Sequence, residues 1–410
     1  MNIWYCPNGK AFMREICLAL RESVIHCLVE LPVPLVREFT NEFTQYCRKY
    51  LSHILVRQII GGSSRNTVLR DLFNIPDNEP VPPVNDLLRL DAADRYILLE
   101  FAPSLSSEER QEWMEFLEEL DRSTKRALDR GTQELLWKII AVLPGSSAPY
   151  RPWRLVWHMG MRKFMWWGLL HSSDMEYATE QFFAPVLEPE DRASYYWLYS
   201  LCRGLASSDP MLAKWIVDEI PLNLDDVSQL MSRHPLFPTA SRFKAVIARM
   251  DGKPSPCISR TTPPEKGDDA ELWKNGLYLI DCFGNPRLHP VGLAAASRLQ
   301  SLERRIVLGQ MQVYLPMVQE VHGFLCRSLR RCCGSDWNRH ARDRFTTIND
   351  EIGALPAYMK TELSGYSPLL YDLAAIWREM RNTVAHNHMI SCSMANDGVN
   401  LYRALLANER

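Results

Sequence analysis

The sequence contains no C-x-x-C pair, no apolar run of membrane-spanning length and almost no net charge, and each lack excludes a class of protein. Its eleven cysteines are scattered and odd in number, and only Cys332 and Cys333 adjoin. That pattern excludes a disulfide framework and a zinc site of ordinary spacing, and it fits reduced thiols in a cytoplasm. The longest strongly apolar stretch, near Phe164 to Leu170, falls far short of the roughly 20 residues a bilayer crossing needs. The opening MNIWYCPNGK lacks the basic and apolar regions of a secretion signal. The expectation is a cytoplasmic protein with no membrane partner, no metal and no cofactor. Since 47 basic side chains stand against 49 acidic ones, no global field attracts nucleic acid, and any such contact must come from a local patch. A phosphate-binding loop is missing too. Gly9-Lys10 is followed by Ala11 where a metal-holding hydroxyl is needed, and the earlier glycine of such a loop is absent.

What is present is ample apolar material, 46% of 410 residues, enough for two or three domains. Residues 1–186 read as an α/β region. A short strand at Ile3 to Cys6 leads to a turn at Pro7 to Lys10, a helix through Phe12, Ile16 and Leu20, and a strand at Val24 to Leu31. Further strands are expected at Arg95 to Phe101, Leu135 to Leu143 and Leu155 to Trp157. Ser106 or Ser107 is placed to cap a helix that has Glu109 or Arg110 in its first turn. Residues 187–251 have helical periodicity and read as a lid or adaptor packed on that sheet. Residues 252–272, rich in proline, glycine and charge, read as a linker. Residues 273–410 read as a helical bundle, with a short strand at Tyr278 to Cys282. Its helices are Ile306 to Arg331, Trp337 to Leu363 (bent or ended by Pro356), Leu369 to His388 and a short fourth over Asp397 to Leu406. The fold class is therefore mainly α with an N-terminal α/β part.

Periodicity and chemistry coincide in LLYDLAAIWREMRNTVAHNH, Leu369 to His388. Leu369, Leu373, Ile376, Trp377, Met380 and Val384 form one apolar stripe. Arg378, Asn382 and His386 follow one another at i, i+4 and i+8 on the other side, next to Arg381. Such a polar row needs water, a ligand or a second subunit opposite it.

The run Arg381-Asn382-Thr383-Val384-Ala385-His386 resembles the R-N-x-x-x-H form of the motif of HEPN domains, helical modules found in bacterial toxins and phage-defence proteins. The resemblance covers about the last quarter of the chain. It implies a metal-independent endoribonuclease in which two protomers join their motifs into one site, leaving 2′,3′-cyclic phosphate ends. Arg381, Asn382 and His386 are then the catalytic residues. RNA is the substrate, a homodimer is expected, and the N-terminal half or a regulatory protein partner restrains the activity. A non-catalytic dimerisation or scaffold subunit is the alternative. The order of strands and helices in the first half resembles a STAND-type or AAA-like ATPase domain whose nucleotide motifs have decayed, with Glu100 ending a strand as an acidic residue does in P-loop ATPases.

Two basic stretches are candidate RNA surfaces. Arg327, Arg330 and Arg331 belong to a local excess of positive charge between residues 300 and 345, eight basic side chains against four acidic ones, and with Arg378 of the row they are the expected RNA contacts. Tyr150 to Trp167 interleaves Arg151, Arg154, Arg162 and Lys163 with Trp153, Trp157, Trp166 and Trp167, an arrangement that serves either base stacking or an aromatic core.

Overall fold

The computed structural model describes residues 4, 6–22, 25–51, 53–131, 135–144, 160–166, 172–183, 192–206, 209–253, 264, 267–281, 285–339, 347–348 and 350–408. The chain forms two compact units, one of residues 2–174 with 252–289 and one of residues 175–251 with 290–410.

The first unit contains α1 (Pro7–Glu22), β1 (His26–Leu31), α2 (Val33–Cys47), β2 (Ile54–Ile59), α3 (Arg65–Phe73), the single turn α4 (Val84–Leu87), β3 (Tyr96–Phe101), α5 (Ser107–Asp129), β4 (Lys138–Pro144) and β5 (Met161–Met165). All strand neighbours are parallel, in the order β2-β3-β4-β1-β5. Parallel pairing requires a crossover between strands, so central strands lose both faces to helices and read as unbroken apolar runs. β4 is buried at every position and β3 at all but Glu100, whereas the edge strands β2 and β5 alternate with exposed residues. The α5 cap is a full capping box: Ser106 Oγ accepts from Glu109 N–H and the Glu109 carboxylate accepts from Ser106 N–H.

Two buried polar groups tie this sheet together. His26 Nδ1 accepts the Ile139 N–H at 2.9 Å, so Nε2 carries the proton and donates to Thr124 Oγ1 at 3.0 Å. Burial, with the nearby Lys138 ammonium, pushes the His26 imidazole down to about 3. Lys138 is itself buried and donates to the Leu20 carbonyl in the last turn of α1, where the helix end favours a cation.

The expected turn at Pro7 to Lys10 is instead the first turn of α1. Proline tolerates that position because no N–H is needed there. Asn8 N–H and Nδ2 donate to the Asp174 carboxylate at 3.0 and 2.7 Å, so a carboxylate of the chain itself closes this helix start. Trp4 is no strand residue but a core one, 4.6 Å from the Trp166 ring and 5.1 Å from Phe39; residues 3 and 5 lie outside the described residues. The run Leu155 to Trp157 also lies outside them, and β5 at Met161–Met165 is the strand found beside β1.

α6 (Ser172–Phe183) spans the border between units. The second unit continues with α7 (Arg192–Leu201), a π-helical turn (Cys202–Ala206), α8 (Pro210–Glu219), α9 (Leu224–Arg233), α10 (Phe237–Arg242) and α11 (Lys244–Met250). α12 (Gly267–Lys274) and the hairpin β6 (Tyr278–Ile280) with β7 (Pro286–Leu288) belong to the first unit. The second resumes with α13 (Pro290–Ala295), α14 (Leu299–Cys333), α15 (Leu355–Glu362), α16 (Pro368–Ala385) and α17 (Cys392–Asn408). Of the stretch read as a linker, 254–263, 265 and 266 lie outside the described residues. Pro356 starts α15, in its first turn, and does not bend or end a helix.

The 35-residue α14, about 50 Å long at 1.5 Å per residue, is the spine of this unit. α7 and α16 pack along it, and α17 packs on both of those and reaches it through Tyr402, which donates to Glu320 and lies against Phe324. The segment 187–251, read as a lid on the sheet, thus shares its core with the C-terminal helices. The close crossing of α14 with α7 and the π-helical turn depends on two glycines. A Cβ on Gly309 would overlap the Ser200 carbonyl oxygen and stand 2.6 Å from Gly204 N, and one on Gly204 would overlap the Arg305 carbonyl oxygen. Backbone on both sides cannot yield.

Two outcomes follow. Gly309→Ala is expected to lower the urea-unfolding free energy by about 2–3 kcal/mol through overpacking; an unchanged midpoint contradicts the crossing. Unfolded His26 protonates near 6.5 and folded His26 near 3, so the unfolded chain binds more protons in that window. Stability is therefore present above about pH 6.5 and lost as pH falls, with a slope approaching about 1.4 kcal/mol per pH unit. Urea midpoints across that window are expected to be flatter for His26→Gln than for the wild type, and parallel curves contradict a buried neutral His26.

Candidate functional site

α16 starts at Ser367, whose hydroxyl accepts the Leu369 N–H at 3.3 Å, followed by Pro368 in the first turn. Its buried stripe is Leu370, Leu373, Ala374, Trp377, Met380 and Val384. Leu369 is exposed and Ile376 half-buried, so the stripe enters the core one residue later than periodicity places it. Trp377 Nε1 donates to the Gly398 carbonyl at 3.0 Å and fixes the helix on α17.

The helix stops inside the motif. His386 is its C-cap, and Asn387 turns left-handed at φ 60°. Asn387 N–H donates to the Val384 carbonyl at 3.0 Å and His388 N–H to that of Thr383 at 2.9 Å, the paired bonds of a Schellman ending with asparagine in place of glycine. Two residues on, the fully buried Gln310 of α14 donates through Nε2 to the Ile390 carbonyl at 3.0 Å and accepts the Ile390 N–H at 2.8 Å. The end of α16 is thereby pinned to the spine.

Two cavities, each of about 470 Å³, flank the polar face of α16. One is lined by Arg378, Asn382 and His386, the expected row, together with His388, Tyr371, Ala375, Glu379, Thr383 and Pro356. Arg378, His386 and His388 are exposed and make no ion pair among the described residues. Arg381 opens on the other cavity, among Met311 to Gln319 of α14, Glu351 and Ile352. Its Nη2 donates to Glu351 Oε2 at 2.7 Å and its Nη1 to Asn382 Oδ1 at 2.9 Å. With its oxygen engaged, Asn382 keeps its NH₂ as the donor left for the row. The geometry thus joins Arg378, Asn382, His386 and His388 in one groove, and it reaches Arg381 only through Asn382.

The other expected RNA contacts do not converge there. Gln310, near the start of α14, meets Ile390 just past α16, and Cys333 at the end of α14 donates to the Ser364 carbonyl just before α16. The two helices therefore run antiparallel. Arg327, Arg330 and Arg331 are exposed in the last two turns of α14, at the end away from His386; Arg330 is about 30 Å along α14 from Gln310. His322 is buried with Nε2 2.7 Å from the Ile348 carbonyl. In Tyr150 to Trp167, Trp166 is core, Lys163 pairs with Glu30 at 2.9 Å, and Arg162 lies over the Phe164 ring at 5.0 Å. Trp153, Trp157 and Trp167 lie outside the described residues.

Neither His388 nor Glu351 belongs to the row or the motif that the sequence shows. His388 was open to discovery, two positions past His386. Glu351 was not, since it meets Arg381 across 30 residues with no local pattern. Among the described residues no cluster of His, Cys, Asp and Glu has metal-holding geometry, and no helix is long and apolar enough to cross a membrane.

The left-handed Asn387 generates a test. Asn387→Ala is expected to cost about 1 kcal/mol in chemical denaturation and Asn387→Gly nothing; equal effects contradict the helix ending described. Against known proteins, no family model, curated protein or solved structure gives a significant match to this chain.

Proposed function

We propose that the C-terminal unit is a metal-independent endoribonuclease of the HEPN kind, with the groove of Arg378, Asn382, His386 and His388 as its site. The observation that carries this reading is one open cavity holding two imidazoles, an amide donor and an unpaired guanidinium. Cleavage needs a base to take the ribose 2′-hydroxyl proton while O2′ attacks phosphorus, and an acid to protonate the leaving O5′. Imidazole is the side chain suited to both tasks near neutral pH, and His386 and His388 supply one for each. Arg378 and the Asn382 NH₂ face the phosphate oxygens where charge gathers. The products are a 2′,3′-cyclic phosphate and a 5′-hydroxyl.

Arg381 holds Asn382 and is itself held by Glu351. Both side chains of that pair are more than a third exposed, and such pairs are worth about 0–1 kcal/mol. An RNA phosphodiester anion can therefore compete with Glu351 for Arg381. A second copy of the chain laid across the groove closes it from water, in keeping with the two-protomer arrangement the motif implies. The parallel order β5-β1-β4-β3-β2 is also that of AAA-type ATPase sheets, which supports the ATPase-like reading of the first unit. Leu31-Pro32-Val33 after β1 offers no glycine or lysine for phosphate, and the unit is assigned a scaffold or regulatory role.

One observation favours the second reading, a non-catalytic dimerisation or scaffold subunit: Arg381 is neutralised within its own chain. The two readings part on incubation of the full-length protein with RNA in EDTA. Wild type is expected to cleave, with losses of about 10²-fold or more in His386→Ala and in His388→Ala, and a smaller loss in Arg381→Ala. Undiminished cleavage in both histidine variants removes the site. A wild type and a Glu351→Gln variant that both associate yet cut nothing favour the scaffold.

A further inference from the structure

The proposed groove contains an aromatic ring that the fold does not use. Tyr371 is half-buried on α16, and among the described residues it has no ring partner and no hydrogen bond. The next residue along its face is Ala375, whose side chain ends at Cβ, so the space beside the ring is open toward Arg378. Pro356 of α15 forms the opposite wall. Tyr371, Ala375, Arg378, Asn382 and His386 follow at steps of four, three, four and four, one continuous row along the helix. At 1.5 Å per residue, Tyr371 stands about 10 Å before Arg378, and Arg378, Asn382 and His386 stand about 6 Å apart.

We infer that the groove takes single-stranded RNA lengthwise, with Tyr371 as the platform on which one unpaired base stacks while Arg378 and Asn382 hold the neighbouring phosphates. This inference rests on the nuclease reading and names its substrate class. Three features select a single strand. A base reaches an aromatic face only when it is free of its own stack. A cavity of about 470 Å³ accommodates a group the size of a small ligand, not the girth of a duplex. The third feature is charge: among the described residues that line the cavity, Glu379 stands against a single guanidinium, too little positive charge to hold the two backbones of a duplex. The strand is therefore held at few charges and one stack, and affinity depends on the ring more than on salt.

Binding tests this apart from cleavage. The probe is a fluorescent 2′-O-methyl oligoribonucleotide, which lacks the attacking hydroxyl, measured by anisotropy with the full-length protein as a single strand and as a duplex. Wild type is expected to bind the single strand at least about tenfold more tightly than the duplex. Tyr371→Ala is expected to weaken single-strand binding by about tenfold, the scale of losing one base–aromatic stack, and Tyr371→Phe to retain it. Thermal melting of both variants checks that the helix is intact. Equal binding of the two probes, or unchanged binding by a folded Tyr371→Ala, overturns the assignment. So does a Tyr371→Ala protein whose self-association in sedimentation changes while binding does not, since the row is then a protein contact. Normal, Tyr371-dependent binding with no cleavage of unmodified RNA upholds the platform and refutes only the nuclease reading.

Discussion

A single buried amide decides where the candidate site stands. Gln310 of α14 satisfies both backbone groups of Ile390 as a strand partner would. A buried amide left without partners costs about 1–3 kcal/mol per group, so the chain past α16 has one favoured register on the spine. That register, with the left-handed Asn387 three residues before Ile390, places the end of α16 and with it His386 and His388. The glycine crossing of α14 with α7 and the π-helical turn lets two backbones touch at Gly309, the residue next to Gln310, and so fixes the spine at that point.

The polar face of α16 is divided, and the division is chemical. One side has two imidazoles and a guanidinium without an ion pair among the described residues, in an open groove; the other has an arginine tied to a glutamate beside apolar side chains of α14. On an ideal helix Arg381 and His386 are about 140° apart, which one chain resolves by opening them on separate cavities. Asn382 accepts from Arg381 and lines the groove that holds His386, so whatever happens to Arg381 is felt at the groove through one amide. The weakness of the exposed Arg381–Glu351 pair lets that coupling respond to an anion.

Much of the fold was legible because burial on both faces leaves plain apolar runs. Tyr96–Phe101 and Lys138–Pro144 were visible for that reason, the Ser106 cap by its glutamate three residues on, and α14 and α16 by their helical stripes. Edge strands hid themselves: Ile54–Ile59 and Met161–Met165 carry arginine and glutamine on exposed positions and a lysine on a half-buried one. The prolines at 7 and 356 look like breaks but begin helices, a distinction that depends on which side the chain continues. α17 begins at Cys392, earlier than its apolar residues announce, because Ala395 and Gly398 are buried without being strongly apolar. Of the site, the row Arg378, Asn382 and His386 was readable from spacing alone. The partner of Arg381, the far placement of Arg327, Arg330 and Arg331, and the packing of 187–251 on α14 are tertiary facts with no local trace.

In the proposed reaction an imidazole pair on α16 drives attack by the RNA's own 2′-hydroxyl. Mass analysis of the 5′ fragments from a short reaction in EDTA and heavy-oxygen water tests it most directly. The expected fragments end in 2′,3′-cyclic phosphates carrying no solvent oxygen. Fragments that end in a linear phosphate with solvent oxygen incorporated from the outset, or RNA that stays intact, contradict it.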